Sequence, residues 1–312
     1  MQLRVRSITY LAEAINGYEL VDPRGRDLPR FAAGAHIDLR FGDLVRQYSL
    51  CNDPAERQRY CVAVLREDGS RGGSRYLHDT IRAGDLLEVS MPRNNFPLES
   101  AADRHLLIAG GIGIAPIMSM IAELQRRHAD FQLHYCTRSI ARTAFRDDLT
   151  PITADGRVCF HHDGGDPARG LDLKAVLRDP PHGTHLYYCG PAGLMAAAAE
   201  ATTGWAAGTV HCEYFKAPPA ASVVEDKPFR VRLAKRGVEY EIPVGQTIVG
   251  VLRRHGITVP TSCELGYCGA CVTRYLAGEP DHRDQVLREY GRGRFVLICC
   301  ARSKTPVLDL DL

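Results

Sequence analysis

Residues 263–271 read CELGYCGAC, which places three cysteines in the spacing C-x4-C-x2-C. A fourth cysteine, Cys299, follows after 27 further residues. This is the plant-type spacing for a [2Fe-2S] cluster, in which two irons each take two protein sulfurs. The stretch therefore predicts a cluster domain at the end of the chain. The predicted ligands are Cys263, Cys268, Cys271 and one cysteine near the C-terminus.

Two alternatives accompany this prediction. Zinc modules usually pair two C-x2-C knuckles, whereas here three candidate ligands share one loop, so zinc is the minor alternative. Cys299 and Cys300 are adjacent, and successive strand residues point to opposite faces, so only one of them can face the loop.

The composition of the 312-residue chain is that of an ordinary globular protein, with 45% apolar and 24% charged residues. Its length exceeds one hydrophobic core, so we expect three domains. The net charge of +2 gives no reason to expect nucleic-acid binding, and no run approaches the ~18 apolar residues of a membrane span. The first twenty residues lack the apolar run of an export signal, and the eleven cysteines are an odd number. We therefore expect a cytoplasmic protein without a disulfide framework.

The pattern of the chain changes twice. Residues 1–100 contain short alternating runs such as HIDLRF and DLLEVSM, separated by turn residues, which predict an antiparallel β-barrel. Over residues 101–217 a buried strand, RHLLIAG, a glycine turn and further strand and helix patterns predict an open α/β sheet. Residues 218–227 have the composition of a linker. In residues 228–312 two alternating runs around Arg236-Gly237 predict a β-hairpin ahead of a short helix and the cysteine loop. The predicted fold class is multidomain α+β and α/β.

A candidate flavin site starts at Arg46-Gln47-Tyr48-Ser49, on a strand that leads into a turn. An arginine neutralises a phosphate, a tyrosine packs on the ribityl chain and ring, and a serine hydroxyl hydrogen-bonds the ring near its reactive nitrogen. Ser49 is therefore a candidate catalytic residue. Glycines and a hydroxyl follow in Arg71-Gly72-Gly73-Ser74, a possible phosphate nest for which a solvent-exposed turn is the alternative. The first motif resembles the R-x-Y-S flavin signature of the ferredoxin reductase superfamily, in which the strand corresponding to Ala63-Val64-Leu65 runs along the flavin.

A candidate nicotinamide site follows the strand RHLLIAG, in the turn formed by Gly110, Gly111, Ile112, Gly113 and the helix that begins after them. Glycines there permit close approach of a pyrophosphate to a helix N-terminus, whose partial positive charge favours the anion. The turn is not the Rossmann G-x-G-x-x-G fingerprint, because a proline stands at the third glycine. It resembles the GGIGxxP turn of the reductase superfamily, in which many relatives carry Thr where this chain has Ala115, so a hydroxyl contact to a cofactor is in question.

Cys189-Gly190-Pro191 matches the C-G-P element of the same superfamily. That resemblance places the cysteine beside the nicotinamide ring, where a small polarizable side chain lines the hydride path without blocking it. Cys189 is thus the second candidate catalytic residue, and a buried core cysteine is the alternative.

Three further residues are candidates for cofactor contacts. Thr137 and Arg138 end another strand, where the arginine could meet the adenosine ribose, and an arginine would also suit the 2′-phosphate of NADPH. Phe215 closes the domain next to Tyr214, and an aromatic there either stacks on the flavin or packs in the core.

From Cys263 to the C-terminus, and in the order of its motifs, the chain closely resembles the phthalate dioxygenase reductase and vanillate O-demethylase reductase family. In that family the last cluster ligand is followed by two residues and then Arg, which matches Cys299 ahead of Arg302. The resemblance implies a β-grasp ferredoxin domain, FMN rather than FAD, and NADH, with NADPH still possible.

The resemblance also implies a function. Electrons from NADH pass through FMN and the cluster to the Rieske-type oxygenase component of a two-component mono- or dioxygenase or O-demethylase, in a transient complex formed by a monomeric reductase. A cytochrome P450 or a quinone as acceptor is one alternative. A redox sensor without turnover is another.

Overall fold

The computed structural model describes residues 1–42, 44–67, 69, 72–100, 102–215, 226–261, 264–266, 269–284, 287 and 289–312. The chain divides into two compact units, Met1–Phe215 and Lys216–Leu312. The first two predicted domains fall within the first unit, and their boundary at residue 100 stays a prediction, as does the linker over residues 218–227. Among the described helices, none is both long enough and apolar enough to cross a membrane.

The first hundred residues form an antiparallel barrel. Its elements are β1 (Gln2–Ala12), β2 (Ile15–Val21), β3 (Ala35–Phe41), β4 (Leu44–Ser49), β5 (Tyr60–Leu65), α1 (Gly73–Asp79), β6 (Leu86–Val89) and β7 (Arg93–Asn94). The strand order is β4-β3-β6-β1-β2-β5, with β7 beside β3, and a bridge between Leu50 and Val62 joins the two ends of this path. Alternate side chains point inward, as the period of a strand requires, and bury one apolar core that includes Leu3, Val5, Tyr18, Leu20, Ile37, Leu39, Tyr60 and Val62. The predicted barrel is confirmed.

The rest of the first unit is an open sheet covered by helices. Its strands are β8 (Arg104–Gly110), β9 (Asp130–Thr137), β10 (Val158–His162), β11 (Thr184–Cys189) and β12 (Val210–Glu213). Its helices are α2 (Ile114–Arg126), α3 (Arg146–Leu149), α4 (Leu173–Leu177) and α5 (Ala192–Ala201), with short 3-10 turns at Gly111–Gly113, Ile140–Arg142, Thr150–Ile152 and Pro167–Arg169. Every strand pairing in this sheet is parallel. The predicted open α/β sheet is confirmed.

The strand order of this sheet, β10-β9-β8-β11-β12, locates a switch point. From β8 the chain passes outward to β9 and β10, then returns to the other side of β8 for β11 and β12. In open α/β sheets, ligands bind outside the carboxyl ends of the strands where the order reverses. That position lies between the ends of β8 and β11, at Gly110 and Cys189.

The barrel and the sheet share buried contacts within the first unit. The amide of Gly34 donates to Ser119 Oγ at 3.0 Å in a buried hydrogen bond, and Phe96 packs in the same core as Met120 of α2. The amide of Glu13 donates to the carbonyl of Ala141 at 2.8 Å. These contacts fix the end of β4 relative to the carboxyl edge of the parallel sheet.

The second unit is a mixed sheet packed on one short helix. Its elements are β13 (Phe229–Leu233), β14 (Val238–Ile242), α6 (Ile248–Arg254), β15 (Val272–Ala277), β16 (Pro280–Asp281), α7 (Glu289–Arg292), β17 (Phe295–Leu297), β18 (Arg302–Ser303) and β19 (Val307–Leu310). The main sheet runs β14-β13-β19-β15-β17, with β13 and β19 parallel. The hairpin predicted around Arg236-Gly237 is present, with Leu233 opposite Val238 and Gly237 at φ 66°. Buried residues of α6 and the strands form one core, which contains Cys271 and Cys299.

Candidate functional site

The two flavin motifs meet in the barrel. Arg46 to Ser49 lie on β4, and Gly72, at φ 93°, caps α1, which starts at Gly73. A Cβ added to Gly73 would lie 2.5 Å from Cγ of Arg46, so a larger residue here would displace the arginine side chain. The first amides of a helix have no partner within the helix. A guanidinium beside such amides is a donor set that fits a phosphate monoester.

The other half of the predicted flavin site lies on β5. Val64 carbonyl oxygen is bonded at 2.8 Å to Nε2 of His78, a residue of α1, and His78 Nδ1 lies 3.3 Å from the Asn16 amide nitrogen. Ala63 is buried in an apolar cluster together with Ala115. Leu65 is half-buried at the end of the strand. The strand is therefore fixed to the helix that starts at the Gly72-Gly73-Ser74 turn.

Ser49 has a partner that the sequence motifs did not indicate. Its Oγ donates to Oε2 of Glu213 at 3.2 Å, although the two residues are 164 positions apart. Glu213 ends β12, and Cys189 is its Cα partner on β11. The end of a barrel strand thus meets the carboxyl edge of the parallel sheet beside Cys189. An acidic residue closing a strand at that edge was the available sequence signal.

The nicotinamide turn and the C-G-P element pack directly against each other. A Cβ added to Gly113 would lie 2.8 Å from Gly190 N and closer still to the Cys189 carbonyl oxygen. A Cβ added to Gly110 would lie 2.6 Å from Pro191 Cδ. Gly111, at φ 52°, makes the turn itself. The glycines are required here so that two strand ends can come together at the switch point.

Cys189 is fully buried. Burial, and then the nearby Glu213 carboxylate and Cys212, raise the pKa of the Cys189 thiol well above its usual value. The side chain therefore stays a neutral thiol at physiological pH. The Cys189 side chain can line the hydride path, but it does not supply a thiolate.

Thr137 and Arg138 separate at the end of β9. Thr137 is buried, and its Oγ1 lies 2.8 Å from Thr143 Oγ1 and 2.9 Å from His162 Nδ1, so its hydroxyl holds neighbouring loops together. Arg138 is exposed. Of the two, only the arginine presents its side chain to the solvent beside the sheet edge.

Tyr214 and Phe215, for which stacking on the flavin and packing in the core were both left open, differ in the structure. Tyr214 packs against the core beneath α4 and α5. Phe215 is 39% exposed. The core-packing alternative therefore describes Tyr214, and Phe215 is the aromatic that remains accessible.

The described cluster residues lie in turns at the ends of paired strands, so the expectation that Cys299 and Cys300 belong to a strand is wrong. Cys271 precedes β15, and Cys299 follows β17 by two residues. Val272 pairs with Leu297, and the amide of Ile298 donates to the Cys271 carbonyl at 3.5 Å, which brings the two cysteines together. Cys271 is 3% exposed and Cys299 2% exposed.

Other predicted residues at these sites lie outside the description. They are Arg71, Cys263 and Cys268. Among the described residues, no three His, Cys, Asp or Glu side chains lie close enough together to hold a metal ion. Only two of the four predicted ligands, Cys271 and Cys299, are among those residues. Cys300 is half-buried, and its Sγ would lie 2.8 Å from a Cβ added to Gly266 of the cysteine loop. Two buried thiols in the turns beside the paired strands β15 and β17 fit a cluster that excludes water.

Two family models match separate parts of the chain. The family described as "2Fe-2S iron-sulfur cluster binding domain" matches residues 231–304. The N-terminal domain of DmmA-like subunits of dimethylamine monooxygenase matches residues 89–210.

Full-length relatives have the same extent as this chain. The reductase subunit of tert-butanol monooxygenase / tert-amyl alcohol desaturase from Aquincola tertiaricarbonis is 49% identical, over 100% of this chain and 96% of the relative. Phthalate dioxygenase reductase from Burkholderia cepacia is 43% identical, over 100% and 97%. A solved phthalate dioxygenase reductase structure, titled a modular structure for electron transfer from pyridine nucleotides to [2Fe-2S], superposes with a TM-score of 0.80 at 43% identity and covers 100% of this chain and 98% of its own. The chain belongs to the phthalate dioxygenase reductase family.

Membership in the phthalate dioxygenase reductase family makes the chain an oxidoreductase with a flavin- and nicotinamide-binding unit followed by a [2Fe-2S] ferredoxin domain. A crystal structure of an intact type IV self-sufficient cytochrome P450 monooxygenase also superposes on the whole chain, with a TM-score of 0.82 at 37% identity. This chain covers 41% of that protein.

Proposed function

We propose that this chain passes electrons from NADH through FMN and a plant-type [2Fe-2S] cluster to the Rieske-type oxygenase component of a two-component mono- or dioxygenase or O-demethylase. The observation that carries the proposal is the meeting of Ser49, Glu213 and Cys189 at the carboxyl edge of the parallel sheet. A flavin-binding barrel and a nicotinamide-binding sheet must meet in this way for a hydride to pass directly between their ligands.

When bound, FMN takes up a hydride and returns electrons singly, and the cluster carries one electron at a time. The residues proposed to hold FMN fall into three groups. Phosphate recognition belongs to Arg46 and the turn Gly72-Gly73-Ser74, where guanidinium and helix-start amides adjoin. The ribityl chain and ring lie along Gln47, Tyr48 and the β5 strand Ala63-Val64-Leu65. Phe215 covers the ring from its exposed position.

The nicotinamide cofactor is proposed to lie across the switch point. Gly110, Gly111 and Gly113 admit its pyrophosphate, and Gly190 and Pro191 form the facing wall. Thr137 shapes the adjoining loop, and Arg138 meets the adenosine ribose from the exposed strand end. The same exposed arginine would suit a 2′-phosphate, so NADPH is the alternative to NADH.

Ser49 and Cys189 are the proposed catalytic residues. Glu213 accepts the hydrogen bond from Ser49 Oγ and thereby sets the direction of that hydroxyl. The buried neutral thiol of Cys189 adds a small wall that excludes water without adding charge. The arrangement orients two reacting rings and does not require proton transfer from either side chain.

The proposed cluster ligands are Cys263, Cys268, Cys271 and Cys299. The burial of Cys271 and Cys299 side by side at the ends of β15 and β17 supports the second pair. Cys299 is proposed in preference to Cys300 because it stands three positions before Arg302, as the last ligand does in the family, and because it is the more deeply buried of the two.

The acceptor is an oxygenase, and its Rieske type is a proposal that rests on the resemblance. A haem monooxygenase is a second candidate, since a whole self-sufficient cytochrome P450 contains a region that superposes on this chain. Reconstitution of NADH oxidation with each purified acceptor separates the two. A sensor without turnover would reduce neither acceptor and would not reduce cytochrome c.

We propose the cytoplasm as the working compartment, because thiols stay reduced there. We keep the expectation of a monomer and a transient complex, because electron-transfer interfaces are typically small. Size-exclusion chromatography of the reductase with and without its acceptor tests both.

A further inference from the structure

Two strands connect the proposed cluster ligands to the surface. β15 begins at Val272, directly after Cys271, and β17 ends at Leu297, two residues before Cys299. The strands pair antiparallel, with Arg274 opposite Phe295. Exposed side chains on this pair therefore lie within a few residues of the point where electrons leave the protein.

Three arginines lie on or next to these strands: Arg274 on β15, Arg292 at the end of α7 and Arg294 just before β17. Arg274, Arg292 and Arg294 are exposed, and in the part of the chain that the structure describes none of them forms an ion pair. Arg294 lies over the Phe295 ring, 5.9 Å from its centroid. Other cationic side chains of the unit do form ion pairs, which include Arg230–Glu239, Arg232–Asp309, Lys235–Asp311, Arg253–Glu264, Arg283–Asp226 and Lys304–Glu279.

Apolar side chains flank Arg274. Val272 is 45% exposed and Leu276 49% exposed, and both lie on β15 with Arg274 between them. A single exposed apolar residue is ordinary. Arginine is enriched at protein–protein interfaces, so exposed aliphatic and arginine side chains side by side favour a protein contact here.

We infer that the β15–β17 patch, formed by Val272, Arg274, Leu276, Arg292 and Arg294, docks an acceptor protein whose surface carries carboxylates around its own redox centre. The inference rests on the proposed function, which makes this unit the electron exit. The net charge of residues 228–312 is also positive, with thirteen Lys and Arg against nine Asp and Glu. Unpaired surface charge steers diffusional encounter and adds little to the lifetime of the complex, as rapid turnover requires.

The test uses the full-length holoprotein, NADH and two protein acceptors of opposite charge, an acidic cytochrome b5 and a basic cytochrome c. Arg274→Glu and Arg294→Glu are compared with Arg236→Glu, an equal charge change at an exposed position in the turn between β13 and β14. Each patch variant should lower the second-order rate constant with cytochrome b5 about tenfold at low ionic strength and raise the one with cytochrome c. Arg236→Glu should change either constant by less than about twofold, and all effects should shrink with added salt.

Equal effects of Arg236→Glu and Arg274→Glu would overturn the inference, because net charge alone would then explain them. Unchanged rates in both patch variants would also overturn it. The rate at which NADH bleaches the cluster is the internal control and should not change in any variant. If Arg274→Glu fails this control, Arg274→Gln replaces it, with an expected loss of about threefold. Failure of NADH to bleach the wild-type cluster would instead contradict the proposed function.

Discussion

At the scale of single residues, the hydrogen bond from Ser49 to Glu213 joins two elements that no local pattern relates. The R-x-Y-S and C-G-P motifs predicted Ser49 and Cys189 as candidates from sequence. Their shared neighbour was missed, because a contact across 164 positions is set by the packing of the barrel on the sheet. A sequence motif identifies residues that contact a ligand. It identifies less readily the residues that hold those contacts in place.

We predict that Ser49→Ala and Glu213→Ala each slow flavin reduction by NADH about tenfold, the equivalent of one hydrogen bond of about 1.4 kcal/mol. The double variant should be scarcely slower than either single one, because the two side chains act as a unit. Stopped-flow absorbance measures the rate, and bound flavin is quantified as the control. Additive losses in the double variant would contradict the pairing.

The choice between Cys299 and Cys300 is also decided by one residue. Cys299→Ser should abolish the iron–sulfur chromophore while leaving the flavin bands, because a thiolate ligand is lost. Cys300→Ser is the matched control and should retain both chromophores. Absorption spectra of the purified variants give the answer, and the reverse pattern would transfer the ligand role to Cys300.

At the scale of elements, segments with a clear apolar pattern were predicted well. The run RHLLIAG is β8 with the predicted bounds, Arg104–Gly110, because a buried parallel strand is continuously apolar. At Gly72-Gly73-Ser74, where a phosphate nest was the candidate and an exposed turn the alternative, the structure has the start of a helix, α1, which the sequence did not predict. Its short sequence, GSRYLHD, has no clear amphipathic period, and its packing on β5 through His78 is tertiary.

The packing of the glycine turn on the C-G-P element leads to a prediction for Gly113→Ala. The new Cβ would clash with backbone atoms of Cys189 and Gly190, which cannot move aside as a flexible side chain would. We expect the KM for NADH to rise about tenfold or more and the thermal unfolding midpoint to fall. Gly193→Ala, in α5 with open space around it, is the control and should be neutral or slightly stabilising. Equal behaviour of the two variants would contradict the close packing.

The pairing of β9 with β10 leads to a prediction about pH. His134 Nδ1 lies 3.0 Å from His161 Nε2, and burial, then His161, lower the pKa of His134 to about 4. The unfolded chain binds a proton near pH 6.5 and the folded chain does not, so stability falls as pH drops from about 6.5 to about 4. The full loss is on the order of 2–3 kcal/mol.

Thermal unfolding of wild type and His134→Gln at pH 7.5 and pH 5 tests this dependence. The wild-type midpoint should fall more between the two pH values than that of the variant. Burial also lowers the pKa of His36 to about 4. This second histidine contributes the same pH dependence of stability to wild type and variant. An identical pH dependence in wild type and variant would show that His134 does not contribute.

At the scale of the whole molecule, the order of barrel, parallel sheet and ferredoxin unit followed from sequence because each has its own period and its own motif. The resemblance carried by those motifs is confirmed by relatives that match the chain from end to end. What sequence could not supply was the way the barrel and the sheet share a core through Phe96 and Met120. Contacts of this kind depend on shape, and no motif records them.

The central claim is that one chain accepts electron pairs from NADH and releases them singly through a [2Fe-2S] cluster. Anaerobic titration of the purified protein with NADH, followed by absorbance, tests it most directly. The account predicts flavin and iron–sulfur bands that both bleach, complete at about 1.5 equivalents of NADH, because FMN takes two electrons and the cluster one. An acid extract should contain FMN. A flavin that bleaches at about one equivalent while the iron–sulfur bands persist would contradict the account.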